Sequence, residues 1–300
     1  MTPSGSERRI RPWLYFALAY AWTWLFWLSA ALGGRSADPF PASLLIGLGG
    51  VGPLVSALLL VYRTLDGQGR QDYWRRLIEW RRIAPRWYAV ILLLPLGLTG
   101  LAALFDLGLG GAGLQLEAAA SLLAQPLSIL PFVLFYLVFG PLPEEMGWRG
   151  LALPGLQARR TALAASLILG AVWALWHLPL FFVRGSFQSA LGVGTPAFWA
   201  FMLGIVPLSV VYTWIFNNNR SSTLSAILFH FAVNATGQLF ALSQRGELLL
   251  FGLWIALAAL VTVVWGPERL SRGEEEAALA GGCRGEGWPL RSATGRHGTL

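Results

Sequence analysis

The sequence contains no lysine, a single cysteine, only three histidines and little charge of either sign. One cysteine, Cys283, excludes an internal disulfide and a cysteine-based metal site. No His-Glu-x-x-His run occurs, so the common zincin layout is absent. The C-terminal residues His297-Gly298-Thr299-Leu300 form no CaaX box, so the chain is not itself a prenylation target. Charged residues make up 12% of the 300 residues, half the roughly 25% of a soluble globular domain. With 55% hydrophobic residues and a mean hydropathy of +0.57, this scarcity indicates a membrane protein.

What charge there is lies between apolar runs. All 22 basic residues are arginine, a bias we ascribe to genome composition, and the net charge is +7. The arginines form no continuous stripe, which argues against nucleic-acid binding. They read instead as topology signals and as anchors to anionic lipid headgroups. The 15 tryptophans fit a membrane–water interface.

A transmembrane helix needs about 20 mostly apolar residues. Eight runs meet or approach that length: Pro12–Leu32, Ala42–Tyr62, Trp87–Leu107, Leu127–Leu142, Ala162–Val183, Ala197–Phe216, Thr223–Leu242 and Glu247–Trp265. The first is long for a signal peptide and is followed by no polar mature domain, so it reads as a retained anchor. The fourth is short and holds Pro131 and Pro141, with Pro143 just beyond. Arg8, Arg9 and Arg11 precede the first run, and Arg63, Arg70, Arg75, Arg76, Arg81, Arg82 and Arg86 follow the second. Arg159 and Arg160, then Arg220, then Arg269 and Arg272 occupy the later loops of the same parity. The alternate loops hold only Arg35, Arg184 and Arg245. This bias predicts both termini in the cytoplasm and an even number of spans.

The expected fold is therefore all-α and polytopic, with about eight transmembrane helices around a cavity. Residues 1–266 form the membrane domain, and 267–300, rich in glycine and charge, form a mobile cytoplasmic tail. The loop Arg63–Arg86 mixes Tyr73, Trp74, Leu77, Ile78 and Trp80 with its charges, a pattern for an interfacial amphipathic helix.

Ionisable residues at membrane depth are costly and tend to be functional. Five are prominent: Glu144, Glu145, Arg149, His177 and His230. On a helix Glu145 and Arg149 are i and i+4 and can pair. Glu144 is rotated by about 100° and faces elsewhere. A carboxylate facing a poorly solvated cavity is the better base near neutral pH. Trp173 and His177 share one helix face, as do His230 and Asn234. The second pair has the groups to hold a developing oxyanion or to join a carboxylate around a metal. Taken singly, each pair is also explained by an ion pair or by polar helix packing. Spacing connects two of them. Glu144 lies 15 residues before Arg159, and His177 lies 17 after Arg160. A helical hairpin turning at these arginines sets both about 24 Å from its turn, at about 1.5 Å per residue. Pro154 must then kink the first arm without ending it.

The segment Glu144-Glu145-Met146-Gly147-Trp148-Arg149-Gly150-Leu151-Ala152-Leu153-Pro154 resembles the first motif of the CPBP intramembrane proteases. That family includes the type II CAAX prenyl endopeptidases and proteins linked to bacteriocin self-immunity. Its Glu-Glu-x-x-x-Arg, aromatic-x-x-x-His and His-x-x-x-Asn motifs occur in order within about 127–242. The second commonly begins with Phe; here Trp173 stands there, a conservative departure. The resemblance implies an intramembrane endopeptidase acting on membrane-associated substrates, including prenylated ones. It implies that Glu144 activates water, His177 assists, and His230 and Asn234 stabilise the oxyanion. Glu145, Arg149 and Trp173 would support the site. The family has been described both as metalloproteases and as metal-independent glutamate proteases. Glu144, His177 and His230 are the candidate ligands for a divalent metal such as zinc, and the sequence leaves that choice open. The expected partners are membrane lipid and a peptide or protein substrate. The competing reading is a non-enzymatic immunity or scaffold protein that keeps the motifs as inherited architecture. A transporter is a weaker reading, since no inverted repeat is visible.

Overall fold

The computed structural model describes residues 10–33 and 42–272, which are mostly helical; one isolated bridge pairs Gln115 with Ala241. The helices in chain order are α1 Pro12–Leu32, α2 Ala42–Gly50, α3 Gly52–Thr64, α4 Gly67–Ile78, α5 Pro85–Gly108, α6 Glu117–Ala124 and α7 Ile129–Val138. They continue as α8 Pro141–Gly147, α9 Leu153–Gln157, α10 Ala162–Trp176, α11 Phe187–Leu191, α12 Pro196–Asn218, α13 Thr223–Leu239 and α14 Gln244–Trp265. Local chemistry sets many starts. Asp66, Thr161, Thr195, Ser222 and Ser243 each cap the helix that follows, their side chains accepting a backbone N–H. Prolines occupy the first turn of α1, α3, α5, α8 and α12, where a missing N–H is harmless.

Seven stretches of the described residues are long and apolar enough to cross a bilayer. The eighth expected span, α13, has 17 residues and is about 25 Å long at 1.5 Å per residue. It nevertheless runs from one end of the molecule to the other. Beside its start, Arg82 donates to the Arg220 carbonyl at 2.8 Å, and Arg220 donates back to the carbonyls of Arg81 and Arg82. Beyond its end, Gln115 pairs with Ala241, and Ser243 donates to Asp106 near the far end of α5. The first two-thirds of α13 are largely buried among neighbouring helices.

Three expectations from the sequence are corrected. The second run is two helices broken at Val51, because Pro53 cannot donate to the Gly49 carbonyl. Thr23 on α1 donates to that carbonyl instead, at 2.8 Å, and the indoles of Trp22 and Trp27 donate to Leu48 and Ile46. Some tryptophans are thus internal donors rather than interface residues. The fourth run does not stop at Leu142: it continues, broken at Gly140, through Gln157. The loop Arg63–Arg86 does contain a helix, α4, but it turns Tyr73 and Arg76 into the protein. Tyr73 donates to the Met146 carbonyl at 3.0 Å, and burial pushes its phenol above the ordinary tyrosine range, so it stays a donor.

Residues 267–270 were expected to open the tail, yet they are docked. Ala162 and Leu163, whose N–H groups have no partner inside α10, donate to the carbonyls of Glu268 and Pro267. Asn217 and Asn218 hold the carbonyls of Arg269 and Leu270. Residues 273–300 of the expected tail lie outside the described residues, as do Arg8, Arg9, Arg35 and Cys283.

Of the membrane-length stretches, those of α10 and α12 have the most enclosed apolar windows, 56% buried, and in the fourth crossing burial is concentrated in α8 and the residues after it. The chemistry-bearing residues collect between α8, α10, α12 and α13.

Candidate active site

The Glu-Glu pair lies on α8, which starts immediately after the break at Gly140. Gly147 allows α8 to touch α1, since a Cβ there would overlap the Tyr15 hydroxyl. The helix then widens into a π turn over Trp148–Ala152, in which the Leu153 N–H donates to the Trp148 carbonyl. In a regular α-helix the Pro154 ring would strike the Gly150 carbonyl. The wide turn absorbs this, and α9 carries the same path to Gln157. Pro154 therefore kinks the arm without ending it, as the hairpin register requires.

The two acids diverge. Glu145, fully buried, accepts from Arg149 Nη1 with both oxygens, at 2.9 and 3.1 Å, and from His230 Nδ1 at 2.9 Å. Arg149 is also fully buried. Its guanidinium lies 4.1 Å from the Tyr212 ring centroid and 4.5 Å from that of Trp173, and it donates to Ser209 Oγ at 3.3 Å. This is a cation held between two aromatic faces, strongest where water is excluded. Glu144 instead accepts from the Trp173 indole N–H through Oε2 at 2.7 Å. Its Oε1 turns toward Gly140. A Cβ built on that glycine would sit 3.8 Å from Glu144 Oε1 and 3.7 Å from Asn234 Nδ2. The glycine thus leaves open a space flanked by the acid and the amide.

His177 caps the end of α10 rather than lying within it, because Pro179 stops the helix. Its Nδ1 is 2.9 Å from the Trp173 carbonyl, which can only accept, so Nδ1 carries the proton. His230 uses Nδ1 in the same way toward the Glu145 carboxylate. Both rings are therefore oriented through Nδ1 and keep Nε2 for other work. His177 and Asn234 are partly exposed, whereas Glu144, Glu145, Arg149, Trp173 and His230 are buried.

Trp173 connects the set. Its N–H holds Glu144, its carbonyl holds His177, its ring covers Arg149, and its centroid lies 5.4 Å from the His230 ring. A phenylalanine at this position would lack the N–H, so the substitution is not conservative here. Tyr212 and Ser209, which sandwich and bond Arg149, were missed in the sequence, as was Gly140. The available signal was a pair of polar residues at i and i+3 in the largely apolar α12.

Among the described residues no group of three His, Cys, Asp or Glu side chains is arranged to hold a metal ion. The candidate set Glu144, His177 and His230 is not gathered as a ligand cage in this arrangement. The anchoring of each imidazole by Nδ1 is compatible with ligation or with acid–base work through Nε2.

Fold and site together define a polytopic helical membrane protein enclosing acid, imidazole and amide groups between its helices. Residues 126–236 match the family model described as type II CAAX prenyl endopeptidase Rce1-like. The chain is 30% identical over 260 residues to CAAX prenyl protease 2 of Methanococcus maripaludis, covering 85% of this chain and 94% of that protein. The chain belongs to this CAAX prenyl endopeptidase family and is an intramembrane endopeptidase.

Proposed function

We propose that this protein hydrolyses a peptide bond near the C-terminus of lipidated, CaaX-type substrates, with Glu144 as the base. The observation that carries the reading is the asymmetry of Glu144: one oxygen fixed by Trp173, the other turned to the open space beside Gly140 and Asn234. Water in that space gives a proton to Glu144 as its oxygen attacks the scissile carbonyl carbon. The carbonyl becomes an oxyanion, which the Asn234 amide and His230 Nε2–H stabilise by donating to it. That role requires a proton on Nε2 in addition to the one that Nδ1 donates to Glu145. The carbon–nitrogen bond then breaks, and the proton held by Glu144 passes to the leaving amine. His177, oriented through Nδ1, accepts a hydrogen bond from the water through Nε2 and aligns it.

In this reading the arginine-rich end of the bundle and both chain ends face the cytoplasm. Membrane anchoring brings a prenylated substrate to the site from the lipid. The direct test is cleavage of farnesylated and unmodified peptides by detergent-purified protein. Glu144→Gln should lower kcat at least ~10²-fold, the typical size of a general-base contribution. Asn234→Ala should lower it ~10²–10³-fold, the typical loss of an oxyanion donor. Equal turnover by wild type and Glu144→Gln would remove Glu144 from the mechanism. Complete metal removal by chelation should leave activity intact. Loss on chelation with recovery on re-addition of zinc would replace the glutamate-base mechanism with a metal-dependent one.

A further inference from the structure

Helix α1 grips the end of α10 that carries Trp173 and His177. The Tyr20 hydroxyl donates to the Val172 carbonyl, and the Trp24 indole N–H donates to the Trp176 carbonyl at 3.1 Å. Tyr20 and Trp24 are i and i+4 on α1, and Val172 and Trp176 are i and i+4 on α10. Donors and acceptors therefore match turn for turn. Each acceptor immediately precedes a site residue: Val172 precedes Trp173, and Trp176 precedes His177. The rings of Tyr20 and Trp24 also pack on each other, with centroids 5.1 Å apart.

The second contact falls where α10 stops. Pro179 has no N–H for the Leu175 carbonyl, and the Leu180 N–H donates to the His177 carbonyl at 3.0 Å. Here the Trp176–His177 peptide is held from both sides. Its carbonyl accepts from Trp24, and its N–H donates to the Ala174 carbonyl at 3.1 Å. The tilt of that peptide sets where the His177 side chain leaves the backbone. The ring then meets the Trp173 carbonyl through Nδ1 at 2.9 Å. Trp27 adds a wall from the same helix, its ring centroid 4.5 Å from that of Trp176 and 6.5 Å from that of His177. Packing alone needs no donor, since leucine or phenylalanine fills space in an apolar bundle equally well. A phenol and an indole aimed at two carbonyls one turn apart fix register and rotation as well.

We infer that Tyr20 and Trp24 are positioning residues of the active site, and that α1 is the template that orients the peptides before Trp173 and His177. This deepens the protease reading and rests on it. Trp24 acts through His177. Tyr20 acts through Trp173, whose indole N–H holds Glu144.

The experiment starts from Trp24→Phe, which keeps a ring and deletes the N–H. The chain has three histidines, so labelling histidine with 15N lets NMR in detergent follow each ring, with His177→Gln assigning the His177 signals. In wild type His177 should show a single tautomer protonated on Nδ1. In Trp24→Phe its signals should move toward mixed tautomers, while those of His230 stay in place. On a farnesylated peptide kcat should fall about fivefold, the scale of one hydrogen bond, with KM within about twofold. In a His177→Gln background the same change should alter kcat by less than about twofold, because a residue that acts through another adds nothing once that other is gone. An unmoved His177 spectrum, or an equal kcat loss in both backgrounds, overturns the proposal for Trp24. Trp22→Phe is the control, since it deletes another α1 indole N–H, the one given to Leu48. It should leave the His177 signals and kcat as in wild type; the same shift there would reduce the effect to a loosened α1 and also overturn the proposal. Tyr20→Phe should lower kcat alone but not in a Trp173→Phe background, and an additive loss overturns its part. Wild-type kcat in His177→Gln would reject the catalytic reading of His177 only, since the spectrum still reports how the ring is placed.

Discussion

At the scale of single residues, the arrangement separates two neighbouring acids by what each is bonded to. Glu145 is committed to Arg149 and His230, while Glu144 keeps one oxygen open. Trp173 enforces the second assignment. Trp173→Phe retains a ring over Arg149 and deletes only the donor to Glu144. We expect kcat to fall roughly tenfold, consistent with a hydrogen bond to a charged group, while folded yield stays near wild type. An unchanged kcat would show that the indole N–H does not position the base. Arg149→Ala strands Glu145 in a fully buried site. Removing one partner of a buried pair costs about 3–5 kcal/mol, so yield and thermal stability in detergent should drop together with activity. Arg149→Lys should recover little of either, because an ammonium lacks the planar face that Trp173 and Tyr212 enclose. Rescue by lysine would reduce the sandwich to simple charge balance.

At the scale of elements, the fourth crossing is the unusual part. It contains a break at Gly140 and a π turn at Trp148–Ala152 within 32 residues. The first places Glu144 at the start of a helix facing open space. The second lets the path pass Pro154 while Arg149 reaches back to Glu145. Gly140 has a backbone geometry that L-residues rarely adopt. Gly140→Ala should cost about 1–3 kcal/mol of strain and displace Glu144, lowering activity more than stability. Wild-type turnover in that variant would show that the break tolerates a side chain. The same crossing is where sequence reading was weakest. Proline at 131, 141 and 143 signalled interruption, but apolar periodicity could not tell a terminated span from a broken one.

At the scale of the whole molecule, polar ties close both ends of an apolar bundle. One end joins Arg82 to Arg220, Gln157 to Asn217, and residues 267–270 to α10 and α12. At the other, buried Asp106 accepts from Arg245 at 2.7 Å, from Ser243 at 3.0 Å and from the Gly113 N–H at 3.1 Å. This second tie joins α5 to α14. Arg245 is about half exposed, and two other donors to Asp106 remain without it. Arg245→Ala should therefore lower stability by only about 1–2 kcal/mol, seen as a reduced melting temperature in detergent. The kcat of the folded fraction should be unchanged. A kcat loss without a stability loss would connect this end to catalysis.

Composition, run length and arginine bias were enough to define an all-helical membrane protein, because burying backbone in lipid permits few alternatives. The spacing of Glu144-Glu145-x-x-x-Arg149, Trp173-x-x-x-His177 and His230-x-x-x-Asn234 likewise placed each pair on one helix face. These are local properties of a 3.6-residue repeat. What tertiary structure alone decided was which atoms meet. It brought Tyr212 and Ser209 onto Arg149, from 60 residues or so away in sequence. It gave Trp173 its bond to Glu144, and it opened the chain at Gly140 beside Asn234. Such choices depend on how α8, α10, α12 and α13 pack against one another. No periodicity within a single helix encodes that packing.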